Sequence, residues 1–233
     1  MTTAITKNAA IAEHGPAVHP PVDVYAPQHD SQLLINTMRK IAPTRGLSVA
    51  DLCTGSGAVA LAAATDGARN VDAFELSPAA AAFARANANA AGVVVEVHHS
   101  SWVRAVATGP YHLVTCNPPY VPTPVEDDET PEVPALSVNG GRDGRLVLDP
   151  LCAAAPALLH RGGTLLLVQS EFADVTRTLN ALKDNGLQAR VVARQRIPFG
   201  PVLHRRAEWL EQLGLLRPGR RTETLAVVAA RRR

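Results

Sequence analysis

Three short segments hold residue types that together could bind a cofactor and act on a nitrogen. The first is Asp51-Leu52-Cys53-Thr54-Gly55-Ser56-Gly57, set between an apolar run and an Ala-rich one. Its glycines permit a tight turn and close approach of a ligand to the backbone. The helix start behind them favours a polar or negative group. Gly55 to Ala60 fits the loose G-x-G-x-x-G/A pattern, which alone is a weak signal. The second is Glu75, 20 residues after Gly55. A carboxylate there can accept both hydroxyls of a ribose. Together these two suggest an adenosine-containing cofactor without separating NAD from S-adenosyl-L-methionine. The third is Asn117-Pro118-Pro119-Tyr120. Two prolines stiffen the loop and remove two backbone donors. The Asn117 side-chain oxygen and the Pro118 carbonyl are then acceptors for the two hydrogens of a planar NH2 group, and the Tyr120 ring can cover its flat face. This set fits methyl transfer to nitrogen and has no obvious use in hydride transfer.

These segments need strand ends and helix starts to hold them. SQLLINTMRKIA has helical spacing, with Leu33, Leu34, Met38 and Ile41 on one face, and Pro43 closes it. LSVADLC, NVDAFEL, VVVEVHH, YHLVTC and TLLLVQS read as strands. AVALAAATDG and the stretch 78–91 read as helices between them, the second with Ser77 as N-cap and Pro78 at its first position. A helix is expected between about 146 and 160 and another over VTRTLNALKDNG. QARVVARQRI, a helical stretch around HRRAEWLEQLG, and TETLAVVAARR complete the chain. Strands alternating with helices argue an open α/β sheet with short crossovers, with an antiparallel strand at one edge. Residues 1–22, with Pro16, Pro20 and Pro21, are expected to be a flexible arm, and 23–233 a single domain.

Composition bounds the rest. The chain has 233 residues, 46% apolar, with only 4% aromatic, so the core must be built mainly of Ala, Val and Leu. Three cysteines argue against a disulfide framework. No apolar stretch suits a signal peptide or a membrane span, and a cytoplasmic setting with no membrane partner is the expectation. The net charge of +2 conceals an asymmetry: residues 190–233 hold 11 Arg against Glu208, Glu211 and Glu223, a balance of +8, which leaves −6 for residues 1–189. This basic part either contacts nucleic acid or an acidic partner, or is a solvated face ending in a loose Arg231-Arg232-Arg233 tail.

DLCTGSG, FELSP and NPPY, at strand ends in this order, resemble the class I S-adenosylmethionine-dependent methyltransferases. Within them the chain is similar to the HemK-like release-factor glutamine N5-methyltransferases over roughly residues 24–230. Two further segments carry that likeness: Tyr25-Ala-Pro-Gln-His-Asp30-Ser31-Gln32 before the first helix, and the loop Gly140-Gly141-Arg142-Asp143-Gly144. The resemblance implies a Rossmann-like fold with a mostly parallel seven-stranded sheet and an antiparallel edge strand. It implies S-adenosyl-L-methionine as cofactor and no metal. Asp51, Gly55 and Gly57 would meet the methionine part and Glu75 the ribose, with Cys53, Thr54, Leu76, Ser101 and Asn117 also among the cofactor-binding residues. Asp30 and Ser31 would close over the same end, and Trp102 would either flank the adenine or sit in the core. Asn117, Pro118 and Tyr120 would be catalytic; with Pro119 and Arg142 they would hold the acceptor. NPPY also occurs in nucleic-acid amino-methyltransferases, so a nucleic-acid acceptor and a small biosynthetic molecule stay open beside a release-factor glutamine.

Two departures qualify the likeness. About 25 residues precede the Tyr25 segment, so the helical N-terminal domain of the bacterial enzymes is expected to be absent. In size the chain is closer to the archaeal and eukaryotic branch, which works with a small zinc-binding activator subunit. Ser101 stands where the family often has Asp. Other reactive types read as structural. Cys53 and Cys116 are expected to be small buried residues. His98 and His99, adjacent on a strand, point to opposite faces and cannot easily share a metal. The acidic run Glu126-Asp127-Asp128-Glu129 reads as a surface loop.

Overall fold

The computed structural model describes Val24, residues 26–124 and residues 139–233. The expected arm, Tyr25 and the acidic run 126–129 lie outside the described residues. Seven strands form one sheet: β1 (Ser48–Leu52), β2 (Asn70–Glu75), β3 (Glu96–His99), β4 (Tyr111–Cys116), β5 (Leu159–Ser170), β6 (Leu187–Pro198) and β7 (Thr222–Arg232). Their order is β3-β2-β1-β4-β5-β7-β6. The ladders from β3 through β5 are parallel, and β7 is antiparallel to both β5 and β6. The antiparallel strand therefore lies toward one side of the sheet, inserted next to the outermost strand.

Parallel strands must be covered on both faces, and the helices do this in two groups. α1 (His29–Ile41), α2 (Ala58–Thr65) and α3 (Pro78–Ala90) cover one face, burying Leu34, Met38, Val59, Ala63 and Ala84 against Val49, Val71 and Leu113. The four-residue α4 (Ala105–Thr108), α5 (Leu148–Leu158) and α6 (Val175–Asp184) cover the other, where Leu148, Leu151 and Leu158 meet Leu165, Leu167 and Val228. The Ala-rich helices seat closely because their side chains are small. At Gly57, which begins α2 with φ +85°, an added Cβ would lie 3.2 Å from that of Ala84 on α3. The N-cap of α3 forms as the sequence predicts: Ser77 Oγ accepts from Ala80 N–H at 3.3 Å.

Three differences matter. The third strand is shorter than VVVEVHH, beginning at Glu96 and leaving Val94 91% exposed, because β3 is an edge strand with one neighbour. The fifth strand begins earlier, at Leu159, passing through Gly162 at φ +80°. Arg231 and Arg232 are not a loose tail. Arg231 pairs with Thr164 and Gln188 in the ladders, and Arg232 donates from Nη1 to the carbonyls of Pro156 (2.6 Å) and Leu159 (2.7 Å). α7 (Pro201–Gln212) packs with Phe172, Phe199 and Leu216, and its buried Arg206 donates to Pro122 O (3.1 Å), bracing the loop that follows β4. No helix among the described residues is long and apolar enough to cross a membrane.

Candidate active site

In a parallel sheet the loops at the carboxyl ends of the strands converge, and ligand sites form there. The ends of β1, β2 and β4 frame a cavity of about 460 Å3, within the range of roughly 300–1,000 Å3 usual for small-molecule sites. It brings together Asp30, Ser31, Asp51, Cys53, Thr54, Gly55, Glu75, Leu76, Ser101, Trp102, Asn117, Pro118, Pro119 and Tyr120. These come from five separate stretches of chain, so the fold gathers what the sequence spreads over 90 residues. Two expected residues stay outside. Gly57 serves the turn and the contact with α3, and Arg142 is an exposed residue of the Gly-rich loop.

Asp51 closes the floor. It is 2% exposed and accepts hydrogen bonds from the hydroxyls of Thr54 (2.5 Å) and Thr115 (2.7 Å). Burial raises its pKa to about 6, against the two hydroxyl bonds, and the nearby Glu75 charge adds to the rise. A buried carboxylate in this state gains from a cation brought beside it. Cys53 takes a left-handed conformation, φ +55°, to turn the chain from β1 into the loop. Strain of this kind in a non-glycine residue concentrates at binding sites. Glu75 binds the same loop from the neighbouring strand, accepting Gly55 N–H at Oε2 (2.8 Å) and Ser77 N–H at Oε1 (2.9 Å). It thus fixes the glycine loop as well as facing the cavity, a second role that the 20-residue spacing did not reveal. Leu76, Phe74 and Trp102 add an apolar slot at this end, and His98 stacks on the outer side of Phe74 at 4.7 Å.

The NPPY loop is tied to the start of α1. Tyr120 O–H donates to Asp30 Oδ2 (3.0 Å), and Asn117 Nδ2 donates to Ser31 Oγ (3.4 Å). Asp30 also accepts from Ser31 N–H at 2.7 Å. With its amide nitrogen facing Ser31, Asn117 has its carbonyl oxygen as the acceptor for a ligand. Behind the loop stands the Gly-rich segment 140–144. A Cβ on Gly144, which has φ +74°, would sit 2.5 Å from Tyr120 O, and one on Gly140 would sit 2.8 Å from Tyr120 C. Side chains are excluded there because the two loops lie backbone to backbone.

Sequence reasoning missed the far wall, where Val121, Asn139, Leu146 and Val147 line the cavity. It also missed Arg145, which is 3% exposed and anchors this wall by donating to Asp149 (2.7 Å), Ala173 O (2.6 Å) and Thr178 Oγ1 (2.6 Å). The GGRDG run was a usable signal for that anchor, since a loop so crowded needs a rigid support. Cys116 is buried, and burial beside Cys53 pushes its thiol well up, so it stays protonated. His98 Nε2 bonds Asp72 (2.7 Å) while His99 bonds Leu76 O (3.2 Å), so the pair has separate partners. No Lys or Arg lines the cavity among the described residues; its charges are Asp30, Asp51 and Glu75.

The chain is similar to known proteins. Residues 25–130 match the family described as Methyltransferase small domain. A Methanocaldococcus jannaschii chain, provisionally named protein N5-glutamine methyltransferase, is 31% identical over 182 residues, covering 78% of this chain and 89% of that one. Release factor glutamine methyltransferases of Deinococcus radiodurans and Mycolicibacterium smegmatis are 39% and 35% identical over 139 and 192 residues. The chain spans 49% and 65% of those two bacterial proteins. Among solved structures, the Encephalitozoon cuniculi Mtq2–Trm112 complex, described as methylating the termination factor eRF1, matches with a TM-score of 0.61 at 20% identity, over 91% of this chain and 99% of that one. A precorrin-6y C5,15-methyltransferase of Geobacter metallireducens matches at 0.58 and 15%, over 91% of this chain and all of that one. These two show the shared fold.

Proposed function

The chain belongs to the HemK-like class I methyltransferases, and from that membership we propose that it methylates the side-chain amide nitrogen of a protein glutamine, with S-adenosyl-L-methionine as donor. The observation that carries this reading is the NPPY loop, held by Asp30 and Ser31 beside a cavity whose only charges among the described residues are carboxylates. The residues present fit the cofactor. Asp51 would take its ammonium group, Glu75 its ribose hydroxyls, and the slot of Phe74, Leu76 and Trp102 its flat ring. When bound, the cofactor supplies a methyl group already activated on a positively charged sulfur, which an acidic cavity favours.

The chain's own residues then have a positioning task. An amide nitrogen is a poor nucleophile because its lone pair is delocalised. Asn117 and Pro118 would hold its two hydrogens on their oxygens, aligning the nitrogen and stabilising the positive charge that develops on it. The released proton passes to water. Tyr120, locked by Asp30, would cover the amide plane. Positioning of this kind supplies about 7–11 kcal/mol in ideal cases. The absence of Lys and Arg from the described lining favours a protein side chain over a nucleotide, whose phosphates would need cations nearby. A peptide release factor is the protein acceptor we propose, from the names of the relatives, and a small activator subunit is a partner consistent with the Encephalitozoon complex.

The test combines a substrate and a variant. The chain is incubated with labelled cofactor and a purified peptide release factor, with RNA, DNA and metabolite fractions in parallel, and mass spectrometry locates the methyl. Label on a glutamine side chain is expected. Asn117→Ala should keep cofactor affinity by calorimetry and lose about 10²–10³ in single-turnover rate, the cost of one preorganised transition-state contact. Near-normal transfer by the variant, or label on an oxygen or sulfur, contradicts the reading.

A further inference from the structure

At the opposite end of the sheet lies a second groove, of about 950 Å3, between the end of α1 and the starts of β4, β5 and β6 with the end of β7. Arg161, Lys183, Arg190, Arg231 and Arg233 line it, and no Asp or Glu does. None of these five forms an ion pair with a carboxylate among the described residues. Some arginines elsewhere are matched, as Arg39 is by Asp66 and Arg221 by Glu211. The ladder places the charges close together. Gln188 pairs with Arg231 and Arg190 with Ala229, so Arg190 and Arg231 are diagonal neighbours on one face of β6 and β7, roughly 7–8 Å apart. Like charges so placed repel, and among the described residues Arg231 meets only a neutral acceptor, the Gly162 carbonyl, at 3.3 Å.

We infer that this groove binds the phosphate backbone of a nucleic-acid strand, at a site separate from the methyl-transfer cavity. The inference stands whichever acceptor the cavity takes. The five cations cross three adjacent strands and the end of α6, forming a track rather than a point, as an extended polyanion requires. Four of the five are Arg, whose planar fork matches phosphate oxygens. Gly162, Gly163, Thr164, Ala189 and Ala229 are small residues of the lining that let a backbone approach, and Ile41, Pro43, Leu47, Leu113 and Leu187 complete it. No Phe, Tyr or Trp is present to stack a base, so recognition is of charge and not of sequence. Along β4, His112 lines the groove and Asn117 the cavity, five residues apart, which separates the two by about 17 Å. The groove therefore tethers the enzyme and does not present the acceptor. It also gives the basic C-terminal part a place in the fold, since Arg190, Arg231 and Arg233 come from it.

The full chain is titrated with fluorescein-labelled oligouridylate and oligothymidylate, read by anisotropy at several salt concentrations. Both should bind, with log K falling against log [salt] by about 3.5 if all five cations meet phosphates of a single strand. Arg190→Gln with Arg161→Gln removes two contacts and should weaken binding about 25-fold near 0.1 M salt, from the same slope. Arg190→Glu with Arg231→Glu should weaken it further. Arg217→Glu, an exposed charge outside the groove, should change it little. Circular dichroism and cofactor affinity, unchanged in the variants, certify the fold. Equal loss in Arg217→Glu and the groove variants overturns the site, as does a salt-independent K. Oligoglutamate that displaces the oligonucleotides at comparable concentration overturns the nucleic-acid assignment in favour of an acidic protein segment.

Discussion

Glu223, on β7, is a carboxyl that no step of the chemistry uses, yet it should control the stability of the whole chain. It is 5% exposed, and its Oε2 has no hydrogen-bond partner among the described residues. Burial, first of all, raises its pKa to about 7; the charges of Asp30 and Glu171 add to this, while the Ser170 hydroxyl and the Arg220 guanidinium oppose it. The sign follows from proton binding. Between its ordinary value of 4.5 and about 7 the folded chain holds this proton and the unfolded chain does not, so stability falls as pH rises through that window and levels off above it. The full difference is roughly 3 kcal/mol at 1.36 kcal/mol per pH unit. Glu223→Gln keeps the shape, needs no ionisation and offers an NH2 to neighbouring carboxylates. Urea denaturation of wild type and variant at pH 5, 7 and 8.5, with pH 8.5 above the window, reads the effect. The variant should be nearly level at pH 5 and more stable by about 2–3 kcal/mol at pH 8.5. A difference that does not grow with pH, or a variant less stable at pH 8.5, refutes the reasoning.

Other consequences are equally direct. Glu75→Ala frees the amides of Gly55 and Ser77 and removes the proposed ribose acceptor, so calorimetry should show cofactor affinity reduced by about 1.5–3 kcal/mol, and unchanged affinity would remove Glu75 from the site. Gly144→Ala places a Cβ 2.5 Å from Tyr120 O at φ +74°, whereas Gly46→Ala at φ +75° meets nothing within 4 Å. Both carry the left-handed cost of about 1–2 kcal/mol, but only Gly144→Ala should also lower methyl transfer, by moving Tyr120. Equal thermal shifts with equal activities would show that the loop contact does not matter.

What the sequence made legible divides along a physical line. Strand ends and glycine turns are local: Asp51 to Gly55, Glu75 and the NPPY loop announce themselves because the residue types and the turn chemistry are fixed within a few positions. Ser77-Pro78 and Gly186 likewise marked a helix start and a helix end. The far wall was not legible, because Leu146 and Val147 are ordinary apolar residues whose place depends on Arg145 reaching Thr178 and Ala173, 33 and 28 positions away. The second duty of Glu75 was hidden for the same reason, since a bond to Gly55 joins two strands. The Arg-rich end was misread as loose, because composition reports charge but not pairing. Residues that alternate along β7 carry Arg231 into one ladder face and send Arg232 to the carbonyls of α5. Charge that looked like a solvated tail is instead ordered by eleven residues of strand, and order is what turns a basic composition into a groove with an edge and a direction. The two ends of one sheet then carry opposite fields. Carboxylates gather at the cavity, and guanidinium groups gather about 17 Å away, where they cannot neutralise them.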